Sequence, residues 1–174
     1  MKYGKFWTLC LSVLILDQLT KSWIVERAVE LRRAPLEVLD LLDGHKALLE
    51  ITYVTNPGAA WSMFSDYPEA LTLLASFALI AIFAFRKNLE LEKAPQQFIF
   101  GCIAGGTAGN LGDRLFREPA EVVDFIDVYL PFLEYDYPVF NVADSAIFIG
   151  GFFCIFLAVK DARKEKKGAV KLAN

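Results

Sequence analysis

The chain has 174 residues, of which 55% are hydrophobic and 15 are phenylalanine, and its formal net charge at pH 7 is −3. It is too apolar for an ordinary soluble domain and too short for two large domains, so the composition favours a membrane protein. The net charge indicates little by itself, because the distribution of the charges matters more than their sum.

Four apolar segments predict transmembrane helices, since each is near the ~20 residues needed to cross the hydrocarbon core of a bilayer. We expect a single integral-membrane domain over residues 1–174, an all-α membrane protein built as a four-transmembrane-helix bundle. The helices are predicted at approximately 6–25, 68–86, 96–116 and 141–160, and the outer loops at 26–67 and 117–140.

The cysteines and the histidine do not form a recognisable metal site. Cys10, Cys102 and Cys154 all fall inside apolar segments, without paired spacing or a nearby histidine, and are interpreted as small buried hydrophobes. The single histidine, His45, lies in a polar turn, and a Ser/His/Asp triad would have to use it. We therefore expect no metal ion and no cofactor.

The first apolar segment resembles a signal peptide, but Asp17 and Lys21 interrupt it and no small-x-small cleavage site follows. It is predicted to be a retained helix. Asp17 and Lys21 are four residues apart and share one helix face, where opposite charges neutralise each other. A structural ion pair that holds the bundle together is the simplest interpretation.

The polar segment after this helix contains EVLDLL (37–42) and ALLEITYV (47–54), which are predicted to pair as a β-hairpin. The chain then turns at Asn56-Pro57-Gly58. A plain turn explains Asn56, and a polar group directed into a functional site is the alternative.

The third helix contains Gly101, Gly105 and Gly109 at four-residue spacing, which allows close approach of another helix. Near its end lie Asn110 and Arg114, again on one face. An arginine at a helix end often extends to the membrane interface. The acidic segment that follows contains VVDFIDVYL (122–130), predicted as a short strand or as an irregular interfacial segment.

The fourth helix begins with an asparagine and an aspartate three residues apart, Asn141 and Asp144. In the simplest interpretation Asn141 caps the helix and Asp144 occupies the first turn, where the helix macrodipole favours an acid. An aspartate entering a bilayer is costly, so a functional role for Asp144 is the second interpretation. Both interpretations can hold together.

The basic residues predict the orientation. Two precede the first helix, three lie between the second and third helices and six follow the fourth, so the positive-inside rule places this side and both termini in the cytoplasm. The direction of each helix then puts nine polar residues into one layer at the outer surface. They are Asp17, Lys21, Asn56, Asn110, Asp113, Arg114, Asp124, Asn141 and Asp144.

A polar layer at one surface weighs against a transporter or proton channel, which needs polar groups through the full thickness of the membrane. Without a metal cluster or a usable histidine, carboxylate chemistry remains, and Asp124 and Asp144 are the best candidates. At ~4 Å and an effective dielectric constant of about 20, two carboxylates repel by on the order of 4 kcal/mol, so they would share a proton. One can then activate water while the other protonates the leaving group.

Five sequence blocks follow one another along the chain: LDQLTK (16–21), YVTNPGAAWSMF (53–64), GGTAGNLGDRLF (105–116), VVDFIDVY (122–129) and FNVADSAI (140–147). In this order they resemble the blocks of bacterial lipoprotein signal peptidase, also called signal peptidase II. The resemblance implies a membrane aspartic endopeptidase that removes signal peptides from diacylglyceryl-modified prolipoproteins, on the N-terminal side of the lipidated cysteine, at the outer face of the inner membrane.

Position by position, the resemblance implies a role for eight residues. It places the catalytic pair on Asp124 and Asp144, the polar residues that line the site on Asn56, Asn110, Arg114 and Asn141, and the first-helix motif on Asp17 and Lys21. It also implies a small extracytoplasmic β-cradle, which would place the hairpin at 37–54. The expected partners of this monomer are prolipoprotein signal peptides and membrane lipid, with no nucleic acid and no metal.

Two other hypotheses remain open. A non-enzymatic four-helix protein would bind lipid or a partner helix through the outer polar layer. A serine–lysine peptidase would use Lys21 with Ser22 or Ser62.

Overall fold

The computed structural model describes residues 2–40, 46–59 and 63–173, with side chains as far as Lys164. His45 and Ser62 lie outside the described residues. Within these ranges the helices and strands follow in the order α1 Gly4–Glu26, α2 Ala28–Arg33, β1 Leu36–Leu39, β2 Leu49–Asn56, α3 Pro68–Ala84, α4 Ala94–Phe116, β3 Val122–Leu130, β4 Tyr135–Phe140 and α5 Val142–Ala173.

Helix α4 is the centre of the bundle and packs against α1, α3 and α5. Its glycines make these contacts close. A Cβ atom at Gly105 would lie 2.7 Å from the carbonyl oxygen of Cys10 on α1, and one at Gly106 would overlap the carbonyl oxygen of Ala143 on α5. The close helix approach predicted from the glycine spacing is therefore confirmed.

Two helices in the described part of the chain are long and apolar enough to cross a membrane, α1 and the 23-residue segment Val142–Lys164 of α5. Helix α3 is apolar but has only 17 residues. Large apolar side chains on all three helices are exposed, for example Leu11, Phe77 and Phe152. Lipid contact accounts for such surfaces. These helices agree with the membrane protein that the composition favours, while the count of four spans stays a prediction.

Strands lie within both segments that were predicted as outer loops, 26–67 and 117–140. They form a four-stranded antiparallel sheet in the order β1-β2-β3-β4. The predicted hairpin is its first half, with Leu36 opposite Ile51. VVDFIDVYL is a regular strand that adds to β2, with Asp124 opposite Val54, and β4 then pairs with β3. An isolated two-stranded hairpin is marginally stable, and pairing with β3 and β4 supplies the missing partners.

Two further expectations need correction. Cys10 and Cys102 are buried as predicted, but Cys154 is exposed on the outer face of α5, because that helix contacts the bundle along only one side. The short helix α2 was not predicted. It packs Leu31 into a cluster with Ile24 of α1 and with Val123 and Phe125 of β3. This cluster fixes the beginning of β3 over the C-terminal end of α1.

Candidate active site

One hydrogen-bonded network lies at the C-terminal ends of α1 and α4, the N-terminal end of α5 and the adjacent ends of β2 and β3. It contains all eight residues to which the resemblance gave a role, and its contacts join positions up to 126 residues apart. The packing of α4 between α1 and α5, and of β3 across their ends, brings them together.

Asp124 is one of two carboxylates at the centre of the network, and only 3% of it is exposed. Its Oδ2 accepts a hydrogen bond from Asn56 Nδ2 at 3.1 Å and its Oδ1 accepts one from Asn141 Nδ2 at 2.7 Å. Burial, followed by the charge of Asp144, raises the pKa of Asp124 to about 7, although both amides and Lys21 oppose the rise. Asp124 can therefore exchange a proton near neutral pH.

Asp144 lies in the first turn of α5 and takes part in a reciprocal cap. Its backbone N–H donates to Asn141 Oδ1 at 2.9 Å, while its own Oδ2 accepts from the Asn141 N–H at 3.1 Å. Its other oxygen accepts from Asn110 Nδ2 at 2.7 Å. The capping role predicted for Asn141 is thus present, and it coexists with a place for Asp144 in the network.

Asn141 joins the two carboxylates. It is fully buried, and it donates its side-chain amide to Asp124 and its backbone N–H to Asp144. The same Nδ2 also lies 3.2 Å from Asn110 Oδ1 and 3.2 Å from the carbonyl oxygen of Val123. These bonds hold the beginning of β3 and the start of α5 in one geometry, so both carboxylates face the same small region.

A second cluster beside the first contains the buried charges. Lys21 is fully buried and bonds to Asp17 Oδ2 at 2.9 Å, Asp113 Oδ2 at 2.7 Å and Asn110 Oδ1 at 2.8 Å. The Asp17–Lys21 ion pair predicted from the sequence is therefore confirmed. Asp17 also accepts the backbone N–H of Ala143 at 2.9 Å, which ties α1 to the start of α5.

Sequence reasoning assigned no role to three members of this second cluster, Gln18, Asp113 and Arg117. Asp113 accepts from Arg117 Nε at 2.6 Å, from Gln18 Nε2 at 3.1 Å and from the backbone N–H of Val123 at 3.2 Å. A usable signal was the spacing of Asp113 and Arg117, four residues apart on one face of α4. Nothing in the local sequence predicts the hydrogen bond to Asp113 from Val123, the residue before Asp124.

Asn56 and Arg114 connect the turn after β2 to the site. Asn56 Oδ1 accepts the N–H of Gly58 at 2.9 Å, so Asn56 makes the predicted turn and also contacts Asp124. Arg114 donates to the carbonyl oxygen of Gly58 at 2.6 Å, which fixes this turn against α4. The buried Nε of Arg114 has no partner among the described residues.

The chemistry of the site is that of two carboxylates surrounded by amide donors. Within the described residues, no group of three or more His, Cys, Asp and Glu side chains is arranged to hold a metal ion. Residues 9–160 match the family model of signal peptidase (SPase) II. The chain belongs to the signal peptidase II family. It is therefore an aspartic peptidase.

Individual relatives agree with the family match. The chain is 34% identical to a lipoprotein signal peptidase of Syntrophomonas wolfei, over 95% of this chain and 99% of the relative. It is 38% identical to a lipoprotein signal peptidase of Acaryochloris marina, over 91% of each chain. Two solved bacterial membrane enzymes, each 30% identical, superpose with TM-scores of 0.73 and 0.66 and cover 91% of this chain and 90% and 94% of their own chains.

Proposed function

We propose that this enzyme removes the signal peptide from diacylglyceryl-modified prolipoproteins by cutting on the N-terminal side of the lipidated cysteine, with Asp124 and Asp144 as the catalytic pair. The observation that carries the catalytic assignment is the position of Asn141, which donates to both carboxylates at 2.7 and 3.1 Å. The lipoprotein signal peptidases that the chain resembles support the choice of substrate.

The proposed placement is a monomer with four transmembrane helices, α1, α3, α4 and α5, in the inner membrane, with both termini in the cytoplasm and the sheet outside. The positive-inside distribution supports this orientation. Helix α4 is less apolar than a lone membrane helix, and its central position among three other helices accounts for that, because little of it would face lipid. Helix α3 begins with Pro68 and Glu69, residues typical of a helix start at an interface.

The roles of the two carboxylates follow from their surroundings. Asp144 accepts two hydrogen bonds in the first turn of α5, where the macrodipole stabilises negative charge, and it takes a proton from the attacking water. Asp124, with a pKa raised to about 7, is the member that carries the shared proton, polarises the scissile carbonyl and then protonates the leaving amine.

The supporting amides and Arg114 position this chemistry. Asn56 and Asn141 hold the two oxygens of Asp124, and Asn110 holds one oxygen of Asp144. Because amides are neutral, they orient the carboxylates without cancelling their charge. Arg114 bonds to the carbonyl oxygen of Gly58 and so fixes the turn that carries Asn56.

The test is cleavage of a purified diacylated prolipoprotein by the detergent-solubilised enzyme. Asp124→Asn and Asp144→Asn are each expected to lower kcat by at least ~10³-fold, since either change removes one half of the proton transfer. Asp127→Asn is the matched control, because Asp127 lies on the same strand but pairs with Lys46, and it is expected to keep nearly full activity. Full activity in either Asp124→Asn or Asp144→Asn would refute the assignment.

The serine–lysine alternative loses support from the surroundings of Lys21. Its ammonium group has three protons and three acceptors, Asp17, Asp113 and Asn110, so no proton or lone pair is left to activate Ser22. Ser22 itself is exposed, and Ser62 lies outside the described residues. The family match likewise weighs against a protein that only binds.

A further inference from the structure

An apolar groove separates the outer part of α1 from the sheet. It has a volume of about 300 Å³, at the lower end of the range for small-molecule sites, and is lined by Leu19, Thr20, Trp23, Ile24, Ile51 and Phe125. Thr20 is the only hydroxyl in this lining, and it bonds back to the carbonyl oxygens of Leu16 and Asp17. The surface offered to an occupant is therefore almost wholly apolar.

This groove is distinct from the carboxylate site. Successive side chains of a strand point to opposite faces of the sheet, so Phe125 enters the groove while Asp124 faces Asn56 and Asn141. Leu19 lies seven residues before the end of α1, or about 10 Å along the helix axis. In the proposed orientation the groove is thus open to the hydrocarbon of the outer leaflet.

Two arginines lie near the groove, each against an aromatic ring, and Arg27 lines the neighbouring cavity along α2. The guanidinium carbon of Arg27 lies 4.3 Å from the ring centroid of Trp23, and that of Arg32 lies 4.5 Å from the ring centroid of Tyr53. Trp23 lines the groove directly. Tyr53 packs, together with Ile51, against the cluster that contains Ile24 and Phe125. The aromatic rings hold both cations beside an apolar channel.

The charges of these arginines are not fully cancelled. Arg27 donates to the carbonyl oxygen of Trp23 at 3.2 Å and has one carboxylate neighbour, Glu26, at 3.6 Å, whose side chain is 73% exposed. Among the residues that the structure describes, Arg32 makes no salt bridge. Guanidinium groups match phosphate oxygens in geometry as well as in charge.

We propose that this groove binds one anionic phospholipid of the bilayer, with an acyl chain between α1 and the sheet and the phosphate between Arg27 and Arg32. The site recognises both ends of the molecule, since the groove is apolar and its mouth is cationic. A lipid held there would pack against Phe125, the neighbour of Asp124, and so would steady the sheet against α1. This inference depends on the proposed membrane placement but not on the catalytic pair.

Native mass spectrometry of the full-length protein in neutral detergent tests the proposal, with phosphatidylglycerol and phosphatidylcholine of identical acyl chains as probes. One phosphatidylglycerol is expected to bind at least roughly tenfold more tightly than phosphatidylcholine, because only its headgroup carries net negative charge. Arg27→Gln/Arg32→Gln is expected to weaken phosphatidylglycerol binding by roughly tenfold or more and to leave phosphatidylcholine binding unchanged.

The matched control is Arg86→Gln. Arg86 repeats the arrangement of Arg27, with its guanidinium 5.0 Å from the Phe83 ring and a hydrogen bond of 2.9 Å to the Phe83 carbonyl oxygen, but it is not beside this groove. It is expected to retain phosphatidylglycerol like the unmodified protein. Equal loss in Arg86→Gln, or equal binding of the two lipids by the unmodified protein, would overturn the proposal.

Filling the groove gives a second, independent measurement. Leu19→Trp is expected to weaken binding of both lipids, whereas Leu73→Trp on the exposed surface of α3 is expected to weaken neither. If Leu19→Trp instead raised KM for a diacylated substrate and left phosphatidylglycerol binding unchanged, the groove would hold the substrate's acyl chain and the proposal would be wrong. Lipid binding is measured without cleavage, so an error in the catalytic assignment would leave this result interpretable.

Discussion

Two neighbouring clusters lie at the same end of the bundle, the ionic cluster around Lys21 and the polar cluster around Asn141. They differ in the partners of their carboxylates. Asp17 and Asp113 are fully buried and each bonds to the Lys21 ammonium, with Arg117 also on Asp113. Asp124 and Asp144 instead receive neutral amides. A cation offsets the charge of a buried carboxylate, whereas amides orient a carboxylate without neutralising it.

Asn110 is the boundary between the two clusters. Its Oδ1 accepts from Lys21 at 2.8 Å, and its Nδ2 donates to Asp144 at 2.7 Å. Because Lys21 can only donate, the amide of Asn110 must turn its N–H groups toward Asp144. Lys21 of the ionic cluster thus fixes the orientation of the Asn110 amide toward Asp144, while the charges of the ionic cluster stay paired.

The largest expected effect on stability tests the ionic cluster. Lys21→Met leaves Asp17 and Asp113 buried with a lost partner, so the free energy of unfolding is expected to fall by about 3–5 kcal/mol. Thermal unfolding in detergent and the yield of folded protein measure it. In the control Asp17→Asn/Lys21→Met, Asp113 keeps Arg117 at 2.6 Å, and much of the stability is expected to return. A stable Lys21→Met protein would contradict this view of the cluster.

The polar cluster, in contrast, is expected to become less stable when Asp124 ionises. The folded pKa of Asp124, about 7, lies above its ordinary value of 3.8, so the folded protein holds a proton there that the unfolded chain loses at lower pH. The free energy of unfolding contributed by Asp124 therefore falls as pH rises from about 4 to 7, by on the order of 2–4 kcal/mol, and stays low above pH 7.

Asp124→Asn is expected to remove this pH dependence, because an asparagine cannot ionise. Thermal unfolding at pH 5, 6, 7 and 8 measures the difference in slope, and Asp127→Asn, on the same strand, is expected to keep it. An identical pH slope in Asp124→Asn and the unmodified protein would show that Asp124 is not the source of the dependence.

A smaller effect is expected where α4 approaches the ionic cluster. A Cβ atom at Gly109 would overlap the Asp17 carboxylate, so Gly109→Ala is expected to cost about 1–3 kcal/mol through displacement of Asp17. Gly112 is the control on the same helix, since its Cβ would have Gln18 as nearest neighbour at 3.8 Å. Gly112→Ala is expected to be neutral or slightly stabilising in thermal unfolding. Equal losses in the free energy of unfolding in both variants would show that Gly109→Ala does not act through Asp17.

The smallest effect on stability is expected for a pairing of a cation with carboxylates that is partly exposed to water. Lys46 bonds to Asp127 at 2.9 Å on β3 and to Asp136 at 2.7 Å on β4, with 34% of its side chain exposed. Lys46→Met is expected to lower the free energy of unfolding by only about 0–1 kcal/mol, and less at high salt. A loss as large as that of Lys21→Met would mean that burial does not distinguish the two ion pairs.

How far the sequence predicted the site is shown by Asn56 and Asn141. Local patterns correctly indicated a turn for Asn56 and a cap for Asn141, and the hydrogen bonds of both are present. Their contacts with Asp124 depend on how β2, β3 and α5 meet, which no local pattern specifies. Asp113 was predicted in the polar layer but was given no role, because its partners come from α1, from β3 and from Arg117 just after α4.

The sequence by itself determined the apolar segments, the single layer of polar residues and the family, since hydropathy, charge distribution and ordered motifs are all local properties of the chain. Only the tertiary structure decided that the outer segments form a four-stranded sheet, and which carboxylates are paired with cations and which with amides. The physical reason is that strand pairing and hydrogen-bond choice join residues far apart in sequence. Their energies exist only after α4 has packed between α1 and α5 and has brought those residues into contact.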